Sequence, residues 1–103
     1  MIAKTLLTGL APLHPGEILR EDILPAIGKP KAEIARLLRT SRQSLYDLLA
    51  EKQNVTVPMA LRLGKLCGNG GQFWIALQNA YDMRMAEVEM AAELAEIPTL
   101  TAA

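Results

Sequence analysis

The 103-residue chain has one cysteine, one histidine and four aromatic residues. A single cysteine, Cys67, excludes an internal disulfide, and a reducing compartment fits best. The lone histidine, His14, has no cysteine or carboxylate cluster at ligand spacing around it, so no metal site is expected and His14 reads as a structural residue. Ser41 and Ser44 do not make a hydrolase, because no strand-turn-helix elbow holds a serine and no second histidine exists. There is no Gly-rich phosphate loop, internal repeat or low-complexity block, and neither a cofactor nor an enzyme activity is expected. No run approaches the ~18 apolar residues of a membrane span. The opening, MIAKTLLTGLA, is a poor signal peptide without a convincing cleavage site. With so few aromatics, the core of this single domain must be Leu, Ile, Val, Met and Ala. A small aliphatic core of that kind gains much from a second subunit.

The chain also lacks net charge, but its charges are segregated. Residues 29–65 carry eight Lys/Arg against three acids, and residues 82–96 carry five acids against Arg84. A basic middle and an acidic tail therefore cancel. The basic surplus suffices for the phosphate contacts of non-specific nucleic-acid attraction.

The middle is organised around PKAEIARLLRTSRQSLYDLLAEK, residues 30–52. Ile34, Ala35 and Leu38 share one side of a short helix, and a tight turn follows at Arg39-Thr40. Ser41 is placed to cap a second helix by accepting an orphan N–H of its first turn. Leu45, Leu48 and Leu49 give that helix an inner stripe at three- and four-residue spacing. Two such helices crossing steeply need a small residue at the crossing, and Ala35 supplies it. The outward positions are Arg42, Gln43, Ser44, Tyr46 and Asp47, with Ala50 beyond. Arg can read guanine, Gln adenine, and Ser either. Spacing alone leaves open a helical hairpin with a solvated polar face. Arg39 stands where a left-handed turn favours Gly, at a cost on the order of 1 kcal/mol; either the turn absorbs that cost, which contact with a phosphate would offset, or it takes another shape. Lys52 and the amide of Asn54, in the following loop, are natural phosphate contacts.

Elsewhere the punctuation sets further helices. Residues 1–13 lack a clean period and read as an arm that is disordered or ordered only against a partner. His14-Pro15-Gly16 opens a first helix over about 16–26, with Ile18, Leu19, Ile23, Leu24 and Ile27 inward and Glu17 placed to pair with Arg20. Pro25 loosens its last turn and Gly28 ends it. Pro30 starts the next helix without a side-chain cap. Thr56 caps a fourth helix over about 57–67, in which Gly64 costs ~1 kcal/mol against Ala and implies close approach of another helix. Asn69 and Gln72 resemble a capping box for a fifth helix over about 71–95. Its stripe is Trp74, Leu77, Tyr81, Met85, Val88, Ala92 and Ala95, and its thinly apolar second half either frays or packs on another subunit. Pro98 and the residues after it form a loose tail.

Taken together, HPGEILRED at 14–22, SRQSLYDLL at 41–49, MALRLGKLCGNG at 59–70 and FWIALQNAYDM at 73–83 resemble the HigA-type, VapI-like addiction-module antitoxins of the lambda-repressor-like (Xre) helix-turn-helix group. The resemblance covers about Leu13 to Met83. It implies an all-α, five-helix DNA-binding domain with a long C-terminal helix: an arm at 1–13, the helix-turn-helix domain at 14–83 with its recognition helix at about 41–50, and an extension and tail at 84–103. It further implies a cytoplasmic, nucleoid-associated bacterial protein that neutralises a RelE-like, mRNA-cleaving toxin called HigB. Such a protein represses its own operon as a homodimer on an inverted repeat of double-stranded DNA. Base contacts then fall on Arg42, Gln43, Ser44 and Tyr46, with Lys31, Thr40 and Ser41 joining Arg39, Lys52 and Asn54 near phosphates. Trp74, Leu77, Tyr81, Met85 and Val88 are expected at the dimer interface, and the toxin surface on the N-terminal arm and first helix. Arg39, Pro30 and Tyr46 depart from the family's usual Gly, Ser and small polar residue, which puts the operator sequence in question. The alternatives are a solitary Xre-type repressor without a toxin and an antitoxin that binds only protein.

Overall fold

The computed structural model describes residues 12–101, so most of the N-terminal arm lies outside the described residues. Six helices follow in order: α1 from Pro15 to Ile27, α2 Lys31–Leu37, α3 Arg42–Leu49, α4 Val57–Cys67, α5 Gly71–Glu89 and α6 Ala91–Glu96. No strand occurs among the described residues.

His14 starts α1 from inside the core. Its Nδ1 accepts a hydrogen bond from Gly16 N–H at 2.9 Å, and the ring is buried edge-on to Tyr81. Within α1, residues Leu19–Ile23 form a π-turn, where an uninterrupted α-helix over 16–26 is expected from sequence. Pro25 is the physical cause: it has no N–H, and its ring crowds the carbonyl four residues back, so the helix widens just upstream. Gly28 closes α1 in the left-handed region at φ 75°. Arg20 does not pair with Glu17. It reaches Glu21 at 2.8 Å and Glu51 at 3.3 Å, and donates to the Leu49 carbonyl at 2.6 Å.

The core joins Ile18, Leu19 and Leu24 of α1 to Ile34, Ala35 and Leu38, to Leu45, Leu48 and Leu49, and to Met59, Ala60 and Leu63. Leu13 packs against this cluster, so ordered packing begins before residue 14. Trp74 is 0% exposed and Leu77 is 6% exposed, both within this core. Their expected place at a dimer interface is therefore corrected: the chain's own helices already cover them, and a partner has no surface there to bury. The core also takes in residues not foreseen as buried, Val55 and Gln78 among them. Val55 lies in the loop before α4, and Gln78 accepts its N–H at 2.7 Å while donating to Asp82 at 2.9 Å.

The punctuation at 68–71 differs from the expected capping box. Gly70 stands at the N-cap of α5 with no side-chain cap, and Asn69 accepts from the Trp74 indole at 2.9 Å. The indole N–H would otherwise be buried without a partner. Gly64 meets this connection rather than the middle of a helix: a Cβ there would lie 2.2 Å from the Gly70 carbonyl carbon. The expected single helix over 71–95 is interrupted at Met90, the shared boundary of α5 and α6, at φ −99° and ψ 10°. Cys67 is partly covered, and burial pushes its thiol pKa up. No helix among the described residues is long and apolar enough to cross a membrane.

Two substitutions test this packing. A Cβ on Gly16 would stand 1.9 Å from the Leu48 carbonyl oxygen, a backbone atom that cannot rotate away. Gly16→Ala is expected to destabilise by ~1–3 kcal/mol through forced separation of α1 and α3, measured by urea unfolding. Arg39 is left-handed at φ 58°; Arg39→Gly is expected to stabilise by about 1 kcal/mol in the same assay.

Candidate nucleic-acid interface

Two elements build the site, the α2–α3 turn and the exposed side of α3. Thr40 N–H returns to the Ala35 carbonyl at 3.0 Å, which tightens the turn and sets α3 steeply after α2. Ala35 is buried at that point, and Arg39 supplies the left-handed residue that the family's usual Gly would supply more cheaply. Ser41 then caps α3, its Oγ accepting from Ser44 N–H at 3.0 Å. The positive end of the α3 peptide dipoles therefore lies at Ser41-Arg42, where it favours an anion. Leu45, Leu48 and Leu49 anchor the opposite side in the core.

Of the base-reading candidates, Arg42 and Gln43 are exposed, Tyr46 is 45% exposed, and Ser44 is half-buried. Asp47 forms an interaction not foreseen from sequence: it accepts from Gln43 Nε2 at 2.9 Å. The signal was available, since Gln and Asp four apart on a helix are a known pairing. The bond holds one amide hydrogen of Gln43 and leaves Oε1 and the other hydrogen outward. That is the donor–acceptor pair that matches N6 and N7 of adenine.

The phosphate candidates flank this ridge in different ways. Lys31 is exposed in the first turn of α2, Thr40 is half-buried and Ser41 is exposed. Lys52 and Asn54 are exposed in the loop after α3, which folds back because Lys52 N–H donates to the Asp47 carbonyl at 2.8 Å. Glu51 makes that reversal in the left-handed region at φ 63°. Arg39 is exposed but lines a groove shared with Arg62 and Lys65 of α4. Of the remaining interface candidates, Tyr81 is half-buried against His14, while Met85 and Val88 are exposed.

No family model matches the chain. It is 39% identical over 75 residues to virulence-associated protein I of Dichelobacter nodosus, across 73% of this chain and 69% of that protein. Among solved structures it resembles the Pseudomonas aeruginosa antitoxin HigA determined with the higBA promoter, with TM-score 0.82, 34% identity and coverage of 87% of this chain and 99% of that one. Antitoxin GraA in complex with its operator gives TM-score 0.81 and 37% identity, over 88% of this chain and 93% of that one. The capped, outward-facing α3 is thus set in a fold that these antitoxins share over nearly all of their length, and the chain belongs to the HigA-type, VapI-like family of helix-turn-helix antitoxins.

Proposed function

We propose that this protein is the antitoxin of a type II toxin–antitoxin module. In this reading it neutralises a RelE-like, mRNA-cleaving toxin of the HigB kind, and as a homodimer on an inverted repeat it represses its own operon. Residues 14–83 are the DNA-binding unit and residues 84–103 an extension. The protein works in the bacterial cytoplasm, at the nucleoid.

The observation that carries the DNA-binding half is the exposed ridge of α3, beginning at Ser41, on a fold whose relatives HigA and GraA were determined with promoter and operator DNA. Arg42, Gln43 and Tyr46 have no role in the chain's own core. Arg42 suits guanine, and Gln43, pre-set by Asp47, suits adenine. Tyr46 is too large for a close bidentate contact and suits a thymine methyl or a phosphate. Lys31, Thr40, Ser41, Lys52 and Asn54 supply the phosphate set that fixes register, with Arg39 at its margin.

Co-expression with the neighbouring reading frame, followed by purification and mass measurement, tests the antitoxin half. Recovery of a stable complex with a small basic protein is expected. A chain that shifts its upstream DNA in a mobility assay but captures no such partner is a solitary repressor. Capture of the partner without any shift identifies an antitoxin that binds only protein.

Substitutions separate the contact types. Arg42→Ala and Gln43→Ala are each expected to cost ~1–3 kcal/mol of discrimination between operator and scrambled duplex. Lys52→Ala is expected to weaken both duplexes equally and to lower the slope of log affinity against log salt by about 1. Toxin capture should survive all three, because none of these side chains is assigned to the toxin surface. Unchanged operator affinity in the Arg42 and Gln43 variants would remove α3 as the reading helix.

A further inference from the structure

Asp47 stands on the outer side of α3 with half of its hydrogen-bonding capacity unspent. Its Oδ1 accepts from Gln43 Nε2 at 2.9 Å, and no cation pairs with it among the described residues. Oδ2 has no hydrogen-bond partner among those residues, yet it is not sealed from water. The only buried side-chain nitrogen or oxygen without a partner there is His14 Nε2. The Asp47 side chain is half-buried, so the open oxygen sits on a restrained group rather than a freely waving one. An ionised carboxylate can only accept. Asp47 therefore brings one free acceptor, and no donor, to the proposed reading surface.

Its place on the helix decides what it can meet. Asp47 follows Gln43 by one turn, about 6 Å along the axis at 1.5 Å per residue. Base pairs are stacked ~3.4 Å apart. A helix lying along the major groove thus sets these two side chains over base pairs no more than two steps apart.

The base edges there differ in what they offer a carboxylate. Guanine shows two acceptors, N7 and O6, and thymine shows an acceptor and a methyl, so both oppose it. Adenine places its N6 donor beside the N7 acceptor. Cytosine shows the N4 donor with no acceptor of its own beside it. Cytosine is the base that fits, and rejection of guanine and thymine contributes to the choice along with the bond itself.

We propose that Asp47 is a further base-reading residue, whose free oxygen accepts from the N4 amine of a cytosine within two base pairs of the adenine read by Gln43. This rests on α3 being the reading helix of the proposed function, and it adds a base to what that helix selects. The bond to Gln43 gives the two contacts one orientation, because the amide nitrogen turns toward the carboxylate and the amide oxygen away from it. A duplex with cytosine at that place offsets the repulsion between Asp47 and the phosphates. A duplex without it leaves that repulsion standing.

Selection from a pool of random-sequence duplexes tests the contact, with the full-length original chain, Gln43→Ala, Asp47→Ala and Asp47→Asn. The original chain is expected to enrich a sequence with a cytosine within two base pairs of an adenine. Gln43→Ala identifies that adenine, because the preference for it disappears while the cytosine persists. Asp47→Ala should lose the enrichment of cytosine over guanine, about fivefold or more in the original chain. It should also bind a scrambled duplex about two- to threefold more tightly. Asp47→Asn offers a donor beside an acceptor, so the preferred base should change from cytosine to adenine while the Gln43 adenine is retained. A residue that merely props the helix would not change one base and spare its neighbour. Unchanged base preferences in both Asp47 variants overturn the cytosine contact and leave α3 as the reading helix. Loss of every preference in Asp47→Asn overturns it too, by making Asp47 a structural residue. An original chain that enriches no sequence overturns the reading helix and this contact together.

Discussion

The recognition helix is fixed at its C-terminal end, opposite the Ser41 cap. α1 crosses so close to the last turn of α3 that only Gly16 fits beside the Leu48 carbonyl. One turn along, Arg20 donates to the next carbonyl, that of Leu49, and is itself held by Glu21 and Glu51. A guanidinium at the negative end of a helix dipole is favourable as well as directional. Apolar burial of Leu45, Leu48 and Leu49 keeps α3 on the core but does not fix its rotation, because the hydrophobic effect has no direction. The two carbonyl contacts do. Base reading by side chains depends on hydrogen bonds of about 3 Å, so a helix free to roll would present the same residues without discriminating.

The free end of α3 is prepared differently. Ser41 settles the first turn, and Asp47 restrains Gln43 before any duplex arrives. An exposed Gln otherwise loses rotamer freedom on binding, and an i,i+4 bond of this type recovers part of that loss in advance, a few tenths of a kcal/mol. Asp47 has an opposing effect as well. Its carboxylate lies on a surface meant for a polyanion, so it lowers affinity for any duplex that offers no compensating contact. Restraint of Gln43 and repulsion by Asp47 act in the same direction, toward specificity at the expense of non-specific binding.

What the sequence made legible was the local grammar. The caps at Ser41 and Thr56, the stop at Gly28, and the inner stripe of α3 follow from hydrogen-bonding and spacing rules that act within one turn. The turn at Arg39 was legible only as a choice between a strained left-handed residue and another shape, and the structure takes the first. What escaped were contacts between residues far apart in the chain. Gly16 against Leu48, Arg20 against Leu49 and Gln78 against Val55 each link segments more than twenty residues apart, and no periodicity encodes them. Trp74 and Leu77 show the converse error. Their stripe is real, but a single stripe runs from the chain's own core onto an exposed arm, and spacing cannot mark where one environment ends. The capping box at 69–72 failed for a related reason: Asn69 had a second claimant, the Trp74 indole, that lay outside the cap rule.

The absence of net charge takes on a different meaning once the charges are placed. Lys31, Arg42 and Lys52 accompany the exposed ridge, while Arg62 and Lys65 border a groove on α4. Arg39 belongs to both neighbourhoods, at the turn before α3 and on the lining of that groove. The acidic residues stand at the other end of the chain: Glu87, Glu89, Glu93 and Glu96 are exposed and form no ion pair among the described residues. Carboxylates repel phosphates over distances comparable to the Debye length, ~8 Å in physiological salt, so the charge pattern favours a duplex at the basic side of α3 and disfavours one beside the C-terminal extension.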